Sequence, residues 1–201
     1  MSDDISYDFL HEKLRKTYGS RFNAYRRYKS KHYCSLWTIS ILSILVFVLS
    51  LIFILDFGFD PKIISLFSIM LSVGILVVSL IETSQSYEIK ALKMHECAKE
   101  IKKLDYDLFI IKELNITPEK KITKYQEILA NYKEIIDHCD LNHSFIDYKK
   151  FLAEYRKEFD VNWFIALFHR FYYCVHTFRI YFILFLILPA ITIITLFLTK
   201  P

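Results

Sequence analysis

Apolar residues run through three stretches of the chain without a charged residue: Tyr33 to Leu55, Ile63 to Ile81, and Ile180 to Thr199. A helix needs roughly 20 apolar residues to cross the hydrocarbon core of a bilayer, so each stretch is long enough to span a membrane. The connection between the first two contains the turn residues Gly58 and Pro61. These two stretches therefore predict a transmembrane hairpin.

Between the second and third stretches, apolar residues recur every three or four positions, which is the pattern of helices packed along one face. The first such face comprises Met94, Cys97, Ile101, Leu104, Leu108 and Ile111. The second comprises Ile122, Tyr125, Leu129, Tyr132, Ile136 and Cys139, and the third Phe145, Tyr148, Leu152, Tyr155 and Phe159. Thr117 followed by Pro118 is a typical helix start, so the first two helices are predicted to form an antiparallel hairpin. The pattern leaves open whether the three helices bury one another or form an oligomer interface.

The segment from Trp163 to Thr199 is predicted to divide into two parts. A single straight helix of that length would reach about 55 Å, against about 30 Å for the bilayer core. The first part mixes aromatic residues with His169 and Arg170, as in an amphipathic helix at the membrane interface. The second part, Ile180 to Leu198, is predicted to span the membrane with a kink at Pro189, and a re-entrant hairpin is the alternative.

Charge placement predicts the orientation in the membrane. Eight basic residues and no acidic one lie between Lys13 and Lys31, directly before the first span, and the positive-inside rule places that segment in the cytoplasm. Residues 88–160 contain 14 Lys plus Arg against 15 Asp plus Glu, a near-neutral balance that favours a folded helical domain over direct nucleic-acid binding. A composition that is 54% hydrophobic and 24% charged agrees with a membrane protein that has a substantial aqueous part.

The predicted fold class is therefore an all-α integral membrane protein in four segments. Residues 1–34 form a basic cytoplasmic helix, residues 35–82 a transmembrane hairpin, and residues 83–162 a cytoplasmic helical bundle or coiled coil. Residues 163–201 form an interfacial helix and a third membrane segment.

Candidate chemistry in this sequence is sparse. No paired spacing relates the four cysteines, Cys34, Cys97, Cys139 and Cys174. They are therefore predicted to be reduced thiols. His143 and Asp147 are near enough on one helix face to hydrogen-bond, yet no Ser or Cys nucleophile motif accompanies them, and a helix cap with a polar contact between helices is the favoured interpretation. The sequence predicts no catalytic residue, no cofactor and no metal site.

Serine hydroxyls lie along one face of each of the first two spans. They are Ser40, Ser43 and Ser50 in the first span, and Ser65, Ser68, Ser72 and Ser79 in the second. One interpretation is close helix packing, because small residues let backbones approach and hydroxyls bond across an interface. The other is that the two faces line a narrow polar path in an oligomer, which would pass ions without charged residues.

Four short motifs together resemble the SLATT family of bacterial two-span membrane effectors. They are residues 21–28 (RFNAYRRY), residues 38–43 (TISILS), Tyr87 with residues 94–98 (MHECA), and residues 142–148 (NHSFIDY). The resemblance covers about residues 10–195, and the Asn-His-Ser motif is similar to the subtype linked to reverse transcriptases. The resemblance implies no catalytic residues. It implies a structural or regulatory role for the motif positions Arg21, Arg27, Asn142, His143 and Asp147.

The resemblance implies an effector of bacterial anti-phage defence. We expect a homo-oligomer in the inner (plasma) membrane that forms a pore and causes cell death or growth arrest, as in abortive infection. Besides the lipid bilayer, the expected partner is a genomically linked reverse transcriptase or nucleotide-signalling protein. The main alternative is a non-conducting membrane scaffold that recruits a cytosolic defence enzyme. An enzyme acting on lipid head groups through His143 and Asp147 ranks last.

Overall fold

The regular structure of the described chain is helical. The computed structural model describes the backbone of residues 2–198 and the side chains of residues 7–179, 181 and 182. The helices of this part are α1 (Ser2–Ile54), α2 (Pro61–Gln85), α3 (Tyr87–Glu113), α4 (Pro118–His138), α5 (Phe145–Glu154) and α6 (Trp163–Leu198). The predicted all-α fold class is confirmed.

Local turn chemistry separates the first three helices. After α1, Asp56 and Gly58 have φ values of 48° and 78°, a left-handed conformation that glycine adopts without steric cost. The Asp60 side chain accepts a hydrogen bond from the Lys62 N–H at 2.8 Å, and Pro61 begins α2. Ser86, also left-handed at φ 47°, separates α2 from α3. The hairpin turn therefore falls where the sequence predicts it.

The chain divides into two compact units. The helical unit comprises the described residues up to 29 together with residues 88–174. The hairpin unit comprises residues 30–87 together with the described residues from 175 onward. α1 and α6 each contribute to both units.

Three helices build the core of the helical unit. Its buried cluster comprises Tyr7, Leu10 and Leu14 of α1, Cys97, Ile101, Leu104 and Leu108 of α3, and Tyr125, Ile128 and Tyr132 of α4. The pairing of α3 with α4 agrees with the helical hairpin expected from their apolar faces. The start of α1 is a further partner that the sequence did not predict. Burying one such aliphatic side chain contributes about 1.5–3 kcal/mol, so this contact is a substantial part of the fold.

The apolar face predicted for α5 is wrong at Phe145 and Tyr155, whereas Tyr148 and Leu152 are half-buried. Phe145 is 68% exposed and Tyr155 is 44% exposed, whereas Ile146 and Phe151 are buried. Asp147, between these positions, is fully buried at 0% exposure. The helix therefore buries Ile146 and Phe151 together with Asp147, and the buried carboxylate requires the ion pair that it finds there.

α6 runs from Trp163 to Leu198 as one helix, without the division expected near Ile180. No Gly or Pro lies between Trp163 and Phe182, so nothing in that sequence interrupts the backbone hydrogen bonds. Aromatic side chains on its first turns are exposed, among them Phe164 at 72% and Phe168 at 63%. Apart from Tyr181 and Phe182, the side chains of the predicted third span, including Pro189, lie outside the described residues.

The hairpin unit buries few side chains. After Ser35, the buried positions of the two spans are Leu42 of α1 and Ile64, Leu71, Gly74 and Val78 of α2. The most apolar window of the helix Tyr7–Ile54 and that of the helical stretch Pro61–Glu113 each have a mean hydropathy of 2.6. Only 6% of the first window and 22% of the second are buried. Apolar surface exposed on this scale is unstable in water and is what a bilayer covers.

Candidate functional site

A buried ion pair joins the Asn-His-Ser region to α1. Arg27 Nε and Nη2 donate hydrogen bonds to Asp147 Oδ1 and Oδ2, both at 2.8 Å. The two side chains are 6% and 0% exposed. Two parallel charge-assisted bonds are the strongest form of an arginine–carboxylate contact. Burial alone would lower the pKa of Arg27, but the hydrogen bonds and the charge of Asp147 raise it above its ordinary value.

Further hydrogen bonds extend this pair into a network. Asp147 Oδ2 also accepts from the Ser144 N–H at 2.9 Å, which satisfies one backbone donor at the start of α5. Asn23 Nδ2 donates to the Asp147 carbonyl at 3.3 Å, and the Tyr173 hydroxyl donates to the Asn23 carbonyl at 2.8 Å. Burial raises the pKa of Tyr173 above its ordinary value, so its hydroxyl stays a donor. The network links α1, α5 and α6 within the helical unit.

The favoured interpretation is confirmed for Asp147, which caps α5 and contacts α1, whereas the described contacts include no hydrogen bond between His143 and Asp147. His143 precedes α5, which begins at Phe145, so the helical spacing on which the prediction depended does not apply. The His143 N–H donates to Asn142 Oδ1 at 2.9 Å, and His143 Nδ1 is buried without a described partner. Burial, together with the nearby charge of Arg21, lowers the pKa of His143 below its ordinary value. His143 is therefore held neutral near pH 7.

Arg21 lies beside two cysteines. It is 3% exposed, and its Nη1 donates to Cys97 Sγ at 2.9 Å and to the Leu141 carbonyl at 3.1 Å. Cys97 and Cys139 form a disulfide with Cα atoms 6.5 Å apart. The prediction of reduced thiols is wrong for this pair, because the packing of α3 on α4 brings their apolar faces together. Two further cysteines are free: Cys34 and Cys174.

The serine faces lie largely outside the packing of their own hairpin. Exposed positions are Ser40, Ser43, Ser50, Ser65 and Ser72, and those of intermediate burial are Ser68 and Ser79. Four hydroxyls donate to the carbonyl four residues earlier in the same helix, at 2.8–2.9 Å: Ser40, Ser43, Ser50 and Ser72. Ser50, Ser65 and Ser68 are among the residues that line an open cleft of about 350 Å³ between α1 and α2. The hydroxyl oxygens of the exposed serines are therefore available to lipid or to other copies of the chain.

A family model covers nearly the whole of this structure. The model of the SMODS and SLOG-associating 2TM effector domain family 5 matches residues 6–196, which include most of every helix. The chain belongs to this family. No curated protein and no solved structure matches it. The two transmembrane segments of the family description agree with the two long apolar helices, and membership makes the chain a membrane effector domain of defence systems.

In this family 5 chain, sequence reasoning missed two members of the buried network, Asn23 and Tyr173. Asn23 and Arg27 are four residues apart on α1 and therefore share a face, which is a signal for a common polar partner. Tyr173 carries no such signal, because aromatic residues surround it throughout the first half of α6.

Proposed function

We propose that this family 5 effector permeabilises the inner membrane of a bacterium by assembling into a homo-oligomer whose serine faces line a polar path. The observation that carries the proposal is the exposure of these faces on a hairpin that packs through other residues, Leu42 against Gly74 among them. Four of these hydroxyls already donate to carbonyls of their own helix, but lipid tails offer no donor to the oxygen lone pairs that remain. An assembly that turns the serines toward one another or toward water is therefore favoured.

The hydroxyl geometry favours cations in such a path. The proton of each of the four bonded serine hydroxyls is used by a carbonyl of its own helix, which leaves oxygen lone pairs facing outward. Lone pairs attract cations, and no Asp, Glu, Lys, Arg or His lies within Tyr33 to Leu55 or Ile63 to Ile81 to reverse that preference. We expect weakly cation-selective flux.

We further propose that the helical unit receives the activating signal on the cytoplasmic side, where residues 1–34 and 83–162 would lie. α1 is continuous from Ser2 to Ile54, so one helix carries both Arg27 of the buried network and the first span. A partner acts by binding one assembly state more tightly than another. The partner proposed is a genomically linked reverse transcriptase or nucleotide-signalling protein, the effector itself having no catalytic role and needing no cofactor. The outcome for the cell is death or growth arrest.

Flux from loaded liposomes tests the proposal. The full chain is reconstituted, alone and with its genomic neighbour, and the release of cations, anions and dye is measured. The informative variant is Ser68→Leu with Ser72→Leu, which fills one serine face with bulky apolar groups. We expect this variant to assemble and to lose most of the cation flux.

A matched control places two leucines at the same spacing on another face of α2: Val73→Leu with Val77→Leu. These valines are 56% and 39% exposed, so leucine fits without repacking the hairpin. We expect parental flux from this control. Equal flux from the parent and the serine variant, with equal assembly, would contradict a serine-lined path.

The second candidate function is a non-conducting membrane scaffold. One face of α3 exposes apolar side chains that the helical unit leaves uncovered: Ile89 at 59%, Leu92 at 59%, Tyr106 at 65% and Phe109 at 51%. Such a surface suits a recruited protein. The scaffold predicts a protein bound through α3 and no flux under any condition, with or without the neighbour.

A further inference from the structure

We propose that Cys97 and Cys139 form a thiol–disulfide exchange site, in which Arg21 stabilises the Cys97 thiolate released by a dithiol reductant. The site lies within the helical unit, between α1, α3 and α4. It is independent of the proposed pore, because none of its residues belongs to the spans.

The first observation is a buried cation whose described contacts include no counter-ion. Arg21 is 3% exposed, and among its described contacts none is to a carboxylate. Its Nε is buried without a partner among the described residues, and burial lowers the pKa of Arg21 below its ordinary value. A desolvated guanidinium is costly unless it is paired. The atom that it touches, Cys97 Sγ at 2.9 Å, becomes an anion when the disulfide is reduced. Reduction therefore supplies the missing counter-ion.

The second observation is access for a reductant. A cavity of about 280 Å³ is lined by both cysteines and by Arg21. Cys97 is 4% exposed, whereas Cys139 is of intermediate burial at the end of α4. An incoming thiolate therefore reaches Cys139 Sγ first, and Cys97 is the leaving group.

The reaction balances with a dithiol as the named reductant. One thiolate of the dithiol attacks Cys139 Sγ, the S–S bond breaks, and Cys97 Sγ leaves with the electron pair as a thiolate beside Arg21. The second thiol then attacks the dithiol sulfur of the mixed disulfide and closes a cyclic disulfide. This step releases Cys139, which takes up the proton given up by the second thiol. Two electrons pass from the dithiol to the protein. A leaving thiol that is stabilised as its anion leaves faster, which is the role assigned to Arg21.

Other charged or titratable groups also face the cavity: Lys93, Glu96 and Glu100 of α3, His138 of α4, and Asp140 after it. All five are exposed, so solvent screens their effect on the sulfurs. Lys93 and Asp140 also pair with each other at 2.7 Å. Arg21 is the one buried cation among these lining residues, and it touches the sulfur directly.

The test uses the full chain in detergent micelles. Mixtures of reduced and oxidised dithiothreitol set the potential, remaining thiols are alkylated, and peptide mass spectrometry assigns the label to each cysteine. We expect Cys97 and Cys139 to become reactive together and to re-form the disulfide on reoxidation, while Cys174 reacts throughout. A pair that resists reduction in the folded protein, or that is never oxidised, overturns the proposal.

The role of Arg21 is read from the pH dependence of alkylation in the reduced protein. We expect Cys97 to reach half-maximal reactivity at least about one pH unit below Cys139, a tenfold difference in thiolate population. Arg21→Gln should abolish this difference, Arg21→Lys should retain part of it, and Lys93→Gln is the matched control that should leave it unchanged. Coincident profiles for Cys97 and Cys139 in the parent refute the assignment. That comparison needs no variant, so it decides even if Arg21→Gln does not fold.

Discussion

Replacing Asp147 by asparagine keeps the shape of the side chain and removes the charge that faces Arg27. Arg27 would remain buried, at 6% side-chain exposure, opposite a neutral amide. Removing one partner of a buried ion pair costs about 3–5 kcal/mol, because the other charge stays desolvated. For a chain of 201 residues, each kcal/mol corresponds to about 2–4 °C in melting temperature. We therefore expect Asp147→Asn to melt about 6–20 °C below the parent.

Thermal unfolding of the full chain in detergent micelles, followed by far-ultraviolet circular dichroism, measures this loss. The matched control is Asp140→Asn, which also removes one carboxylate of an ion pair, at 2.7 Å from Lys93. Its side chain is 72% exposed, so solvent screens the pair and we expect little change in melting temperature.

A double substitution decides whether the loss comes from charge. Arg27→Met with Asp147→Asn removes both charges, while the asparagine oxygen still accepts from the Ser144 N–H. We expect the double variant to lose less than the sum of the two single losses, because no unpaired charge remains buried. A loss equal to that sum, or an Asp147→Asn melting temperature within about 2 °C of the parent, refutes the reasoning.

Further predictions concern pH and close packing, and the same melting experiment measures them. The pKa of His143 is lower in the folded protein than its ordinary 6.5, so the unfolded chain binds more protons. The free energy of unfolding should therefore fall as pH drops below about 6.5. His143→Gln should flatten this part of the pH profile. Gly19→Ala places a Cβ in the ring of buried Phe151 and should cost about 1–3 kcal/mol, despite the helix propensity of alanine. Gly74→Ala meets Leu42 Cδ1 at 3.4 Å, an ordinary contact, and should change stability by less than about 1 kcal/mol; a loss as large as that of Gly19→Ala would contradict this.

Local patterns account for the helices that the sequence predicted well. Thr117 precedes α4 and Pro118 begins it as expected, since a proline at the first helical position already has the backbone angle of a helix. Met94 and Ile101 of α3 are buried as their spacing requires. These signals act over three or four residues and depend little on the rest of the fold.

Distant partners explain the predictions that failed. In α5 the apolar pattern favoured Phe145 and Tyr155 as the buried face, yet pairing with Arg27 turned Asp147 inward. Apolar residues of α5, Ile146, Phe151 and Ala153, are buried along with Asp147. Once Asp147 is buried it has to be paired, because an unpaired buried carboxylate is costly. In α3 and α4, the cysteine spacing gave no sign of a bond between Cys97 and Cys139.

The amino-acid sequence by itself determined the two spans, the helical class and the turn between the spans, because hydropathy, periodicity and turn chemistry are properties of neighbouring residues. Only the tertiary structure decided which side chains meet. Arg27 and Asp147 are separated by 120 positions, and Cys97 and Cys139 by 42. Such pairings depend on how whole helices pack, and no local spacing along the chain encodes them.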